Sequence, residues 1–168
     1  STTHEKLEIP FQEVANSSKL HNVSIDLFIH NAGVKPSSSI SDEQCLNINT
    51  EAPFHVIDAF MEKITHSESQ KKICLMSSMM GSREVSGGGS TPRNTYGKSK
   101  CYLNDKFREI EPSWRKNGIT SIVLHPGWVS TDMGGPSAPV TVEDSTDGIY
   151  KVCVMMDASF SGKFFTYE

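Results

Sequence analysis

Tyr96 and Lys100 stand four residues apart in the run Thr95-Tyr96-Gly97-Lys98-Ser99-Lys100. On a helix that spacing puts both side chains on one face. A phenol with a pKa near 10 rarely ionises at neutral pH and is a poor acid there. An ammonium fixed about 5 Å away, at an effective dielectric of ~20, attracts the phenolate by roughly 3 kcal/mol, about two pKa units. The pair is thereby suited to exchange a proton with an alkoxide-like oxygen near neutrality. Tyr and Lys at this spacing are more often a surface contact, so their surroundings have to carry the argument.

Those surroundings are strand ends. The apolar run at 73–76 stops at Ser77-Ser78-Met79-Met80-Gly81, where a serine hydroxyl is able to donate to a carbonyl oxygen. A run at 25–29 stops at Asn31-Ala32-Gly33, where glycine permits close backbone approach. A third, at 119–124, is broken by Pro126-Gly127 and followed by Trp128-Val129-Ser130-Thr131-Asp132-Met133. Serine also ends strands for no chemical reason, and one such feature alone would mean little.

The elements that must position these groups alternate. Period and breakers predict buried strands at 25–29, 73–76 and 119–124, and a last strand at 163–167. Between them lie a Ser-rich loop at 36–41, a helix over 46–64, and a mobile Gly/Ser-rich loop over 81–94. A helix from Tyr96 to about residue 110 is ended by Pro112 and Gly118, and a helix over 142–156 is capped near Thr141 with Asp144 three residues on. Strands joined by helical crossovers form a parallel sheet covered on both faces, and ligands in such sheets bind outside the carboxyl ends of the strands.

Composition excludes several classes. The 168 residues carry 16 basic and 20 acidic side chains, a formal charge of −4, too mild and mixed for a nucleic-acid or membrane surface. No apolar run reaches membrane-spanning length. Cys45, Cys74, Cys101 and Cys153 form no C-x-x-C pair and no zinc spacing with histidine, so no metal is expected; free thiols suit a reducing, cytoplasmic setting. Gly97-Lys98-Ser99 ends like a phosphate-binding loop, but the first glycine of that motif would fall at Pro92, which lacks the N–H the cradle needs. A G-x-S-x-G hydrolase elbow is absent. Met79-Met80 and Met155-Met156 read as packing or pocket lining. Trp114 and Trp128 are candidates for a substrate pocket, Trp128 the better because it follows Pro126-Gly127.

Taken in order, these pieces resemble the short-chain dehydrogenase/reductase family, and more narrowly its C-factor-like and sniffer-like carbonyl reductase branch. The family's N-N-A-G element appears as His30-Asn31-Ala32-Gly33, its helix asparagine as Asn49, its S-x-x-G as Ser78 with Gly81, its Y-x-x-S-K as Tyr96, Ser99 and Lys100, and its P-G turn as Pro126-Gly127. The resemblance implies a doubly wound, Rossmann-type α/β fold and an NAD(P)-dependent oxidoreductase that moves hydride between nicotinamide and a small carbonyl or alcohol. It implies that Tyr96 donates or accepts the proton, that Lys100 tunes Tyr96 and holds the nicotinamide ribose, and that Ser78 orients the substrate oxygen. Asn49 would support a proton-relay water. Asn31, Ala32 and Gly33 would line the adenosine side of the cofactor, and Pro126, Gly127, Val129 and Thr131 the carboxamide and phosphate side. The branch favours NADPH over NADH. Pairing of copies through the helices carrying Asn49 and Tyr96 is one outcome, a monomer the other.

One departure is large. The family's first strand and its glycine-rich diphosphate turn have no counterpart; Gly87-Gly88-Gly89 lies before Tyr96, not between a strand and a helix. The chain is therefore expected to be a single partial domain, lacking N-terminal strands and a short C-terminal tail. It is also expected to be inactive by itself. The rival expectation is a truncated, non-catalytic interaction form that binds cofactor weakly or not at all.

Overall fold

The structure, a computed structural model, describes residues 11–20 and 22–168. Four strands, β1 (Leu27–His30), β2 (Lys72–Met76), β3 (Thr120–His125) and β4 (Phe164–Thr166), form one sheet in the order β1-β2-β3-β4. Every pairing is parallel, with His30 opposite Leu75, Met76 opposite Leu124 and Leu124 opposite Phe165. All carboxyl ends therefore lie along one edge, the geometry expected of the alternating pattern. No helix among the described residues is long and apolar enough to cross a membrane.

Strand periodicity splits the core in two. Phe28, Ile73, Leu75 and Val123 face Phe54, Ile57 and Ile64 of α2 (Ala52–Thr65) and Leu103, Phe107 and Trp114 of α4 (Thr95–Lys116). Cys74, Met76, Ile122 and Leu124 face Val152 and Cys153 of α5 (Val142–Met155). The cap expected for α5 is present: Thr141 Oγ1 accepts from the Asp144 N–H at 3.0 Å. At its other end buried Lys72 donates to the carbonyls of Cys153 and Val154, at 3.0 and 3.1 Å, satisfying last-turn acceptors.

Several expectations are corrected. β1 begins at Leu27 and runs through His30 rather than spanning 25–29. It is not buried on both faces. Phe28 and His30 turn inward, while Leu27 and Ile29 are 36% and 42% exposed, because β1 lies at the sheet edge among the described residues. The helix expected from 46 begins earlier, at α1 (Asp42–Leu46), set by a capping box between Ser41 and Gln44. It then widens into a π segment, Asn47–Glu51, before α2. The Gly/Ser-rich stretch is not a bare loop. It holds a 3₁₀ turn, Met79–Gly81, and the short helix α3 (Arg83–Gly87), capped by Ser82. α4 runs through Pro112, which was expected to end it. Pro112 faces solvent, and its neighbours Glu111 and Trp114 are buried. Trp114 stacks on Phe54 at 6.1 Å, and this packing holds the last turns despite the missing N–H.

Candidate active site

The site is built at the carboxyl ends of β1 and β2 by the first two turns of α4. Asn94 caps that helix, its side chain accepting from the Gly97 N–H at 2.6 Å. This fixes Tyr96 and Lys100 on the face turned to the sheet. Lys100 is 4% exposed; its ammonium donates to the Met76 carbonyl at 2.8 Å and lies 6.0 Å from the Tyr96 ring centre. The helix approaches closely because Gly81 has no side chain: a Cβ there would stand 2.7–2.9 Å from backbone and Cβ atoms of Lys100 and Cys101. Gly33 plays the same part at the end of β1, where a Cβ would stand 3.3 Å from both the Lys100 ammonium and Asn49 Oδ1.

Asn49 is completely buried and its amide is fully engaged. Oδ1 accepts from the Val34 N–H at 2.8 Å, while Nδ2 donates to the Val34 carbonyl at 2.7 Å and to Ser99 Oγ at 2.9 Å. Ser99 passes the linkage on, donating to the Tyr96 carbonyl at 2.7 Å, and Thr50 Oγ1 donates to the Ser99 carbonyl at 3.1 Å. The π segment that presents Asn49 has a cause in the sequence. Pro53 has no N–H to return to the Asn49 carbonyl, so the ladder opens and Ala52 N bonds to the Asn47 carbonyl instead.

The two serines after β2 separate cleanly. Ser77 Oγ donates to Asn104 Oδ1 at 2.6 Å, away from the Tyr96 hydroxyl. Ser78 caps the 3₁₀ turn by accepting from the Met80 N–H at 3.1 Å, and its side chain lies near enough to the Tyr96 phenol to pull the phenol's pKa down.

Electrostatics depart from the simple pair estimate. Burial pushes the Tyr96 phenol above its ordinary pKa, against the downward pull of Ser78. The phenol is therefore protonated and ready to donate. Burial pulls Lys100 down to about 8, so the ammonium is the group that titrates near neutrality. His30, inward-facing on β1, is pulled to about 4, first by burial and then by the Lys100 charge, and is neutral at working pH.

Tyr96, Lys100, Ser78, Asn49 and Gly33 are thus brought into one cluster. Asn31 and Ala32 are exposed at the end of β1. Pro126, Gly127, Val129 and Thr131 occupy the strand end beyond β2, in a turn held by Ser145 Oγ donating to the Pro126 carbonyl at 2.7 Å and by a bridge between Val129 and Val140. Trp128 is 56% exposed at that edge, whereas Trp114 belongs to the core and is no pocket residue. Sequence reasoning missed His30 and Cys45. Cys45 is buried one turn before Asn49, its thiol donating to the Val34 carbonyl at 3.4 Å, and the four-residue spacing to Asn49 was the available signal.

This arrangement, a half-buried tyrosine, a buried lysine and a serine hydroxyl at the carboxyl ends of a parallel sheet, defines a class of α/β oxidoreductase architecture. The short chain dehydrogenase family model matches residues 10–140, and the chain belongs to that family. It is 31% identical over 151 residues to C-signal of Myxococcus xanthus, covering 86% of this chain and 89% of that protein. It is 28% identical to the short-chain dehydrogenase RED3 of Pyricularia oryzae, covering 83% of this chain but 62% of RED3. Among solved structures, the NADPH-bound carbonyl reductase from chicken fatty liver superposes with a TM-score of 0.81 at 28% identity, over 98% of this chain and 71% of that one. The carbonyl reductase Sniffer of D. melanogaster gives 0.79 at 26% identity, over 98% and 72%.

Proposed function

We propose that this chain forms the catalytic portion of a nicotinamide-dependent oxidoreductase that reduces a small carbonyl compound to an alcohol, with NADPH as the favoured cofactor. The observation that carries the reading is the cluster itself: a protonated Tyr96 phenol beside Ser78, with a buried Lys100 ammonium 6.0 Å from its ring. A reduced nicotinamide, when bound, supplies hydride to the carbonyl carbon. The residues do the rest. Ser78 donates to the carbonyl oxygen and orients it. Tyr96 gives its proton to that oxygen as the C–H bond forms, and the Lys100 charge stabilises the phenolate left behind. Asn49 fixes the strand-end loop to α4 through Val34 and Ser99, keeping Lys100 in register. The cradle at Gly33, together with the Lys100 donor, suits a ribose edge; Asn31, Ala32, Pro126, Gly127, Val129 and Thr131 would extend that contact. NADPH in the solved chicken carbonyl reductase supports the cofactor preference. Four unbridged, buried thiols support a reducing, cytoplasmic setting.

A second reading is a non-catalytic form acting by interaction, since the chain is similar over 86% of its length to a protein named as a signal. Turnover of the whole protein with NADPH and a carbonyl compound separates them. Calorimetric titration of the 168-residue chain with NADPH and NADH is expected to show weaker binding than in enzymes with a glycine-rich diphosphate turn, which this sequence does not contain. Micromolar binding would reveal another diphosphate anchor. The whole protein is expected to oxidise NADPH in the presence of a simple aldehyde or ketone; failure to turn over any carbonyl would overturn the catalytic reading.

A further inference from the structure

Lys35 follows the Asn31–Val34 segment, and its ammonium donates to the carbonyl of Met133, 98 positions away in the loop after β3. The bond joins the loops that follow β1 and β3, and so crosses the carboxyl end of β2, where Ser77 and Ser78 lie. Lys35 is exposed, and among the described residues no carboxylate forms an ion pair with it or with Lys100. Among the described residues, the carboxyl edge of the sheet thus holds two lysine side chains, Lys100 and Lys35, that form no ion pair. The rim beside them is apolar: Met79 and Met80 after β2, Trp128 and Met133 after β3, are 37–56% exposed. Trp128 is held in place by Nε1 donating to the Gly134 carbonyl at 2.8 Å.

A neutral carbonyl is a weak partner for an ammonium. A carboxylate or phosphate adds the attraction of a full opposite charge to the same hydrogen bond and competes with the carbonyl for the ammonium. We infer that Lys35 recognises an anionic group on a ligand of this cleft, and that the carbonyl substrate is an apolar-bodied compound with a carboxylate or phosphate at its far end. This rests on the reductase reading and names the substrate class for it. The cofactor diphosphate is the other source of the same chemistry. Lys35 would then hold the ligand's anionic end while Ser78 and Tyr96 engage its oxygen.

The test compares the whole protein with Lys35→Gln, which keeps a donor for the Met133 carbonyl and loses the charge, and with Lys35→Arg, which keeps both. Kinetics are measured with 4-formylbenzoate and with uncharged benzaldehyde. Lys35→Gln is expected to lower kcat/KM for the charged aldehyde about tenfold, to leave benzaldehyde unchanged, and to be rescued by Lys35→Arg. A variant that instead weakens NADPH binding, with both aldehydes affected alike, assigns the anion to the cofactor and sustains the site. Equal kinetics and equal NADPH affinity in wild type and Lys35→Gln overturn the inference while leaving the reductase reading intact. If the wild-type protein reduces no carbonyl, that reading fails first. Titration of 4-formylbenzoate and inorganic diphosphate into wild type and Lys35→Gln then decides the anion site alone: tighter binding to wild type sustains it, and equal binding ends it.

Discussion

The two halves of α4 are one continuous helix of 22 residues that does opposite things. Its first turns bury Ser99 and Lys100 and half-bury Tyr96, polar groups whose removal from water costs free energy unless each finds a partner. Its last turns bury Phe107 and Trp114, which gain from the same removal. The partners at the first end come from elsewhere in the chain: Met76, Asn49, Thr50 and Ser78. The apolar end supplies the stability that lets the polar end hold a desolvated ammonium. Substitutions should therefore separate sharply, with activity lost at one end and folding at the other.

The largest effect is expected at Tyr96. Tyr96→Phe in the whole protein should cut the reductase rate by about two to four orders of magnitude while leaving the unfolding midpoint nearly unchanged. Retained turnover with a simple aldehyde would remove Tyr96 from the chemistry. The converse change is Phe107→Ala, which empties a site 1% exposed beside Trp114. It should lower stability by about 3–5 kcal/mol in urea denaturation, with unchanged turnover per folded molecule. Loss of turnover at full stability there would break the division between the halves.

pH sharpens the comparison. Lys100 is charged below about 8 and loses its proton above it, because burial disfavours the ammonium. The reduction rate should then fall as pH rises through about 8, since neutral Lys100 no longer stabilises the Tyr96 phenolate. Lys100→Arg, which stays charged, should carry the fall to higher pH; a profile indifferent to that change would detach Lys100 from the titration. The smallest effect concerns the edge of β1. Leu27 and Ile29 leave an apolar, unprotected strand edge among the described residues, and such edges pair with other chains. The 168-residue chain is expected to self-associate in light scattering, and Ile29→Lys to reduce it. A clean monomer at high concentration would argue that the edge is covered.

Much of the candidate site was legible in the residues. The alternation of apolar runs with helical spacing fixes a parallel sheet, and Tyr96 and Lys100 four apart fix a shared face, because both depend only on local geometry. The stops at Gly33, Ser77-Ser78 and Pro126-Gly127 mark the edge where chemistry belongs. Even the π segment had a local cause, Pro53 four residues after Asn49.

What only the tertiary structure decided is everything that depends on burial and on partners distant in sequence. The expected drop in the Tyr96 pKa came from treating the pair as two charges in a uniform medium. In the folded chain, burial outweighs the downward pull of Ser78 and raises the phenol instead. The persistence of α4 through Pro112 was set by Trp114 against Phe54, a contact 60 residues apart that no propensity contains. Lys35, one of 16 basic residues in a mixed-charge sequence, acquires meaning only because folding lays the loop after β3 across from it.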